Sequence, residues 1–228
     1  METASHPIKL LTTHDGSHTF LSEKFNSTYH SVHGAMEEST HVYITNGLNA
    51  FINATQKKSV SVLEVGFGTG LNAYLSFLQT RLQPVFIHYE SLEAYPVSQE
   101  DAKALNYIHG YEATIGSLFL KMHEQEWNVT RELTPQFELT KQLITVQEFT
   151  TDKTFDLIYY DAFSPKEQPE LWTETIFKKL YALLNPGGVL ITYCAQGQMK
   201  RHLKSAGFTV KTLPGYGKKR EMTRAEKI

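Results

Sequence analysis

The sequence carries one cysteine, Cys194, in 228 residues. A single thiol excludes an internal disulfide and any cysteine-cluster metal site, and a reducing, cytoplasmic location is the expectation. No apolar run approaches the ~18–20 residues of a bilayer span, so no membrane partner is expected. The opening Met1-Glu-Thr-Ala-Ser-His-Pro7 lacks a basic segment followed by an apolar one, and no signal peptide is expected. Repeats and low-complexity tracts are absent. A strong charge of one sign is missing too: the net charge is −2, which argues against a general binder of nucleic acid.

What is present is an ordinary globular composition, 41% apolar and 20% charged. The small net charge hides an asymmetry. Residues 200–228 hold nine Lys and Arg against Glu221 and Glu226, so this segment is +7 and the remainder −9. A basic edge on an acidic body is either a polyanion-facing surface or a solvated helix and hairpin. Residues 1–58 are polar and read as an N-terminal extension packing on a catalytic domain, 59–228. The extension holds hairpin-like segments at His18–Ser22 and Tyr29–Gly34 and a short helix over 44–54.

From residue 59 strands alternate with helices. Ser59–Val65 is a β-branched apolar run that reads as a buried strand, ending in Gly66-Phe-Gly-Thr-Gly70 and an amphipathic stretch to Leu78. Pro84–Leu92 is a second strand, followed by a helix over 96–107 with Pro96 in its first turn. Phe137–Leu143 and Thr154–Tyr160 are the third and fourth strands. Pro169 opens a helix whose apolar positions Trp172, Ile176, Leu180 and Leu183 keep a 3.6 period. Asn185–Gly188 reads as a turn before a fifth strand, Val189–Tyr193. A helix near 196–206 stops at Gly207, and Phe208–Leu213 with Lys219–Thr223 closes the chain as a hairpin. Alternating βα units predict a parallel sheet with right-handed crossovers. The fold expected is α/β: a mostly parallel seven-stranded sheet, helices on both faces and a C-terminal hairpin strand, an order of elements that resembles the Rossmann-like class I methyltransferases.

The sharpest chemical signal is Glu64-Val-Gly-Phe-Gly-Thr-Gly70. Glycines after a first strand let backbone approach a ligand, and the helix that follows offers free N–H groups. A dinucleotide fingerprint needs G-x-G-x-x-G, whereas the glycines here are 66, 68 and 70 with leucine at 71. Glu64 would repel a phosphate and suits the cationic amino group of a methionine moiety. S-adenosyl-L-methionine is therefore favoured over a nicotinamide cofactor, and a nicotinamide-dependent oxidoreductase is the disfavoured alternative. Glu93, 23 residues past Gly70, sits where an acid accepts ribose hydroxyls; Glu90 competes for that role. Asp161, in Asp161-Ala-Phe-Ser-Pro165, closes the fourth strand at the end that faces the ligand crevice. Its carboxylate can hold an amine and take its proton, and Phe163 beside it can stack on a planar substrate. The ten histidines show no ligand spacing (His30 and His33 lack a third partner), so no metal is expected. Cys194 reads as buried and inert.

Several strings together resemble the methyltransferase half of the bifunctional bacterial MnmC enzymes. They are Leu63–Asn72, Ser91–Pro96, Tyr160–Pro165 with Trp172, Asn185–Gly188, Gly215–Met222 and, in the extension, Gly34–Ile44. The resemblance implies methyl transfer from S-adenosyl-L-methionine to 5-aminomethyl-(2-thio)uridine at the tRNA wobble position. By motif match, Glu64, Gly66, Phe67, Gly68, Thr69, Gly70, Asn72 and Glu93 would hold the cofactor, and Asp161 would be the catalytic aspartate as well as a cofactor neighbour. Three departures stand out. A flavin-dependent oxidase half has no room in 228 residues, which leaves a place for a separate oxidase partner. Ala162 replaces an expected glycine. The third strand has Lys141-Gln142 in place of a Gly-Asp pair, making Gln142 the candidate for adenine. A wobble base in the tRNA anticodon loop can be splayed into a pocket and stacked on Phe163. Lys218, Lys219 and Arg220 would then meet backbone phosphates. The competing readings are an N-methyltransferase for a small-molecule or protein amine and a non-catalytic RNA-binding module. Oligomeric state stays open.

Overall fold

The computed structural model describes residues 7–228. The first residues, on which the expectation of no leader rests, lie outside the described part. The chain starts with three short antiparallel strands, β1 (Ile8–Thr12), β2 (His18–Ser22) and β3 (Ser27–Thr28), in that spatial order. His18–Ser22 pairs with the strands on either side of it in sequence, and the Tyr29 N–H extends the second pairing by donating to the Phe20 carbonyl at 2.9 Å. One long helical run follows: α1 (Ala35–Ser39), a π-helical stretch (Thr40–Asn49) and α2 (Ala50–Thr55). It extends well beyond the expected 44–54. Thr40, Val42, Ile44 and Thr45 are β-branched and lower helix propensity, which masks its first half in the sequence. Burial outweighs that cost: Val42, Tyr43, Ile44, Leu48, Phe51 and Ile52 all turn into the core. Each such side chain removed from water contributes ~1.5–3 kcal/mol.

The body continues with β4 (Ser59–Val65), α3 (Leu71–Leu82), β5 (Phe86–Glu93), α4 (Gln99–Lys103), α5 (Ala113–Glu124), β6 (Thr130–Thr134) and β7 (Phe137–Leu143). Next come β8 (Phe155–Tyr160), a 3₁₀ turn (Pro169–Leu171), α6 (Glu174–Leu183), β9 (Leu184–Thr192), α7 (Gly197–Ser205), β10 (Thr209–Pro214) and β11 (Glu221–Glu226). The main sheet runs β10-β11-β9-β8-β4-β5-β7-β6. Its five central strands, β9 through β7, are parallel; β11, β10 and β6 are antiparallel additions. The sheet has eight strands where seven were expected. The eighth, β6, is the charged segment Thr-Arg-Glu-Leu-Thr, an edge strand whose faces bury too little to leave an apolar alternation in the sequence.

Most strand bounds follow the apolar runs; the last strand, expected over 219–223, runs Glu221–Glu226 instead, and other departures have local causes. Helix α4 starts after Pro96 because Ser98 caps it, its Oγ accepting the Asp101 N–H at 3.0 Å. Helix α5 had no sequence expectation. Asn185–Gly188 is a bulge within β9: Phe155 pairs with Leu184, and Leu157 with Val189. Two apolar layers clothe the sheet. One joins Val62, Tyr89 and Tyr159 to the long N-terminal helical run, α3 and α5. The other joins Leu63, Ile158 and Tyr160 to α6 and α7. No helix among the described residues is long and apolar enough to cross a membrane.

Candidate active site

Neighbouring strands β5 and β8 flank β4 on opposite sides, so chain crossovers leave its carboxyl end in opposite directions. A crevice opens at such a point. Here it is a cleft of about 550 Å³. The glycine loop forms one wall. Gly66 has φ +97°, and a Cβ there would stand 2.7 Å from the Asp161 carbonyl oxygen, so a side chain is excluded by both conformation and space. The Asp161 N–H donates to the Val65 carbonyl at 3.0 Å, which ties the ends of β4 and β8 together. The Gly68 N–H donates to Glu93 Oε2 at 2.8 Å, and the Tyr95 N–H to Oε1 at 2.7 Å. The Ala94 N–H bonds the same carboxylate, and three backbone donors still leave acceptor capacity for a ligand hydroxyl. Burial raises the Glu93 pKa, and the backbone bonds oppose that rise.

Asp161 lies at the centre. Tyr43 donates its hydroxyl to Oδ1 at 2.6 Å, and Asn72 donates Nδ2 to Oδ2 at 2.8 Å. Desolvation pushes the Asp161 pKa up to about 6 against the lowering effect of these two bonds. The Asn72 amide also donates to Glu64 Oε1 at 3.1 Å, so both its hydrogens are spent on carboxylates. That fixes which way the amide points and leaves Oδ1 a buried acceptor with no partner among the described residues. Glu64 itself is fully buried and does not line the cleft. Its second oxygen accepts from Ser91 Oγ at 2.6 Å, and desolvation pushes its pKa up to about 8. The geometry therefore departs from a direct Glu64 contact with a cationic ligand: Glu64 orients Asn72, and Asn72 presents the open acceptor.

The other sequence candidates divide. Phe67, Gly68, Thr69, Phe163 and Lys219 line the cleft. Gly70 begins α3 behind the loop, with His123 and the Phe67 ring against it. Gln142 is away from the cleft and donates to Glu90, which also pairs with Lys153 at 2.9 Å. The wall beyond β7 is instead Ile144, Thr145, Val146 and Gln147. This corrects the Gln142 assignment: the strand turns that side chain to its other face, beside Glu90. Lys219 lies 2.5 Å from Glu38 and 4.4 Å from the centre of the Tyr193 ring. Lys218 and Arg220 are exposed, line no part of the cleft and make no ion pair among the described residues.

Sequence reasoning missed the extension's own contribution. Phe25, Tyr29, Glu38 and Tyr43 all reach the cleft. Phe25 stacks on Phe163 with centroids 4.5 Å apart, and Tyr29 meets Phe163 edge-on at 5.1 Å. A signal existed, since Gly34–Ile44 holds both Glu38 and Tyr43. His30 and His123 are held neutral, mainly by burial, at about 4 and about 3. No group of three or more metal-ligating side chains occurs among the described residues, and Cys194 is a buried free thiol.

The chain is similar to known proteins over most of its length. Residues 119–228 match a family model described as S-adenosyl-L-methionine-dependent methyltransferase. The tRNA 5-methylaminomethyl-2-thiouridine biosynthesis bifunctional protein MnmC of Ralstonia nicotianae is 30% identical over 218 residues, 90% of this chain and 32% of that protein. The protein of the same name from Magnetococcus marinus is 33% identical over 216 residues, 89% of this chain and 32% of that one. The chain thus spans about a third of the length of the curated relatives it matches. The crystal structure of MNMC2 from Aquifex aeolicus superposes with a TM-score of 0.80 at 23% identity, covering 97% of this chain and 71% of that one, a likeness of fold.

Proposed function

We propose that the chain is an S-adenosyl-L-methionine-dependent methyltransferase, as its matches suggest, and that it methylates the primary amine of 5-aminomethyl-(2-thio)uridine at the wobble position of tRNA, in the cytoplasm. The observation that carries this reading is the Asp161 carboxylate, fixed by Tyr43 and Asn72 in a cleft with aromatic walls. The name of the relatives, 5-methylaminomethyl-2-thiouridine biosynthesis proteins, is that of the product such a methylation would give.

The residues present fit the cofactor. Asn72 Oδ1 is a buried acceptor awaiting a donor, suited to an ammonium group. Glu93 has spare acceptor capacity for ribose hydroxyls. Ile144 and Val146 offer an apolar wall for a purine. When bound, S-adenosyl-L-methionine supplies an electrophilic methyl group on a sulfonium. Everything else falls to the protein. An alkylamine has a pKa of about 10 and arrives as the ammonium ion. Asp161, ionised above about pH 6, accepts a hydrogen bond from that ammonium through the lone pairs that Tyr43 and Asn72 leave open. It holds the nitrogen in place and takes one proton from it, which frees the lone pair that the new N–C bond requires. A carboxylate at about 6 remains a weak base for an ammonium, so orientation is its larger part. Phe163, Phe25 and Tyr29 supply the faces on which a splayed base can stack. The aminomethyl group is the substrate ready-made, whichever active site produces it.

The test is incubation with isotopically labelled methyl donor and three tRNAs, whose wobble uridine is unmodified, aminomethyl or carboxymethylaminomethyl, followed by nucleoside mass spectrometry. Label is expected in methylaminomethyluridine from the aminomethyl tRNA. Absence of label from every uridine derivative would overturn the reading.

A further inference from the structure

The interior of the cleft is acidic. Among the described residues five carboxylates line it, Glu38, Glu93, Asp161, Glu167 and Glu170, against one ammonium, Lys219. His30, also at the wall, is neutral near pH 7. The ammonium is already spent: Lys219 Nζ sits 2.5 Å from Glu38 Oε1. Glu38 is 7% exposed, and its other oxygen accepts the Ser31 N–H at 3.1 Å, so its position is set from both sides. Its field reaches Asp161, whose proton it helps retain, while that of Lys219 acts in the opposite sense. Groups that grip a polyanion are usually cations. Here the cations with no ionic partner among the described residues, Lys218 and Arg220, stand on the exposed hairpin loop beside Lys219, and carboxylates face the inside.

We infer that Glu38 is a specificity-determining residue that makes the cleft admit a cationic primary amine and turn away an amine bearing a carboxylate. An incoming ammonium is attracted to Asp161. An incoming carboxylate is repelled by Asp161, and Glu38 already holds Lys219, the ammonium that could have received it. Discrimination of this kind works by an unfavourable contact with the wrong ligand. The inference rests on the amine methyl-transfer reading above, and adds which residue does the selecting and by what force.

The test compares binding by the full chain of anticodon stem–loops carrying aminomethyl- or carboxymethylaminomethyluridine, with cofactor affinity as the check on folding. Wild type is expected to prefer the aminomethyl form. Glu38→Gln frees Lys219 for the carboxylate, and the preference should shrink on the order of tenfold, the scale set by juxtaposed like charges. Lys219→Met leaves Glu38 unpaired and should keep or widen the preference. The same ratios measured with benzylamine and N-benzylglycine test charge selection without RNA. If stem–loops bind no better than their unmodified form while the small amines obey the pattern, the tRNA reading fails and this inference stands. An unchanged ratio in Glu38→Gln, or an equal narrowing in Lys219→Met, overturns the inference.

Discussion

Tyr43 and Asp161 are 118 residues apart in sequence, and the Tyr43 hydroxyl donates to Asp161 Oδ1 across 2.6 Å. A helix that precedes the α/β body thereby sets the electrostatics of the central carboxylate. The surrounding protein lifts Asp161 to about 6, and the Tyr43 bond is the largest influence holding it down. Tyr43→Phe removes that influence. A hydrogen bond to a charged group is worth ~1.5–3 kcal/mol, or about one to two pH units. The acid limb of kcat/KM, set by Asp161 losing its proton, is expected to move upward in pH by that amount. A limb that stays in place in a pH–rate profile would remove Asp161 as its origin.

Asp161→Asn keeps an acceptor for Tyr43 but turns an amide toward Asn72, and it can neither attract an ammonium nor take its proton. Single-turnover methylation is expected to slow by about 10²–10⁴-fold, the range for a positioned acid–base group. Cofactor affinity by calorimetry should change little, because Asn72 Oδ1 and Glu93 remain. A variant that keeps wild-type turnover would assign the chemistry elsewhere in the cleft.

Glu64 carries a stability signature. Its pKa in the folded chain is about 8, above the ordinary 4.5, because burial disfavours the ion. A folded pKa raised in this way stabilises fully below the unfolded value, and that contribution drains as pH climbs through the folded one. The window is therefore about pH 4.5 to 8. Glu64→Gln, which mimics the protonated acid and keeps an acceptor for Asn72, lacks this loss. Denaturant unfolding at pH 5, 6.5 and 8 should show the variant gaining on wild type with each step, by at most ~1.4 kcal/mol per pH unit. Parallel stability curves would mean that Glu64 is ionised throughout.

The sequence revealed what depended on local pattern. Ser59–Val65 and Phe137–Leu143 are strands at the bounds their apolar runs mark, because buried parallel strands carry their signal in their own residues. Glycine spacing located the loop, and chain order placed Asp161 beside it. What stayed hidden depended on long-range packing. The helical run at 35–55 is disguised by its β-branched residues, and β6 by its polar edge. Gln142 and Thr145 lie three residues apart, yet only the observed strand end shows that Thr145 faces the cleft and Gln142 faces Glu90. Glu64 shows the same limit from the other side: the motif identified the residue, and its burial under Asn72 changed its task from contact to orientation.

Gly66 tests how tightly loop and carboxylate are joined. A methyl group there would sit 2.7 Å from the Asp161 carbonyl oxygen, on a backbone with φ +97°. Gly16 has a similar φ, +82°, and a methyl group added there would meet nothing within 4 Å among the described residues. Gly16→Ala should therefore cost about 1 kcal/mol of strain, and Gly66→Ala on the order of 2–4 kcal/mol, with strain and collision combined. Because the collision displaces Asp161, turnover should fall more than stability alone explains. Equal losses of stability in the two variants, read from denaturant midpoints, would show that the contact is relieved by a shift elsewhere.

The hairpin loop gives a last, quantitative separation. Lys218, Lys219 and Arg220 are adjacent, and in sequence all three look equally suited to phosphate. Lys219 is paired with Glu38 at 2.5 Å, whereas Lys218 and Arg220 have no ionic partner among the described residues. A cation already neutralised by a carboxylate has no condensed counterions to displace from RNA, so it adds little to the salt dependence of binding. Each phosphate contact on single-stranded nucleic acid contributes ~0.7 to the slope of log K against log salt. Replacing Lys218 and Arg220 together by alanine should lower the magnitude of that slope by about 1.4 for tRNA. Lys219→Met should leave it nearly unchanged, even where it alters preference among modified nucleosides. The measurement is tRNA affinity across a salt series for wild type and both variants. A slope that responds to Lys219 and ignores its neighbours would reverse the assignment, placing the phosphate contact at the cleft mouth and the exposed pair outside the RNA footprint.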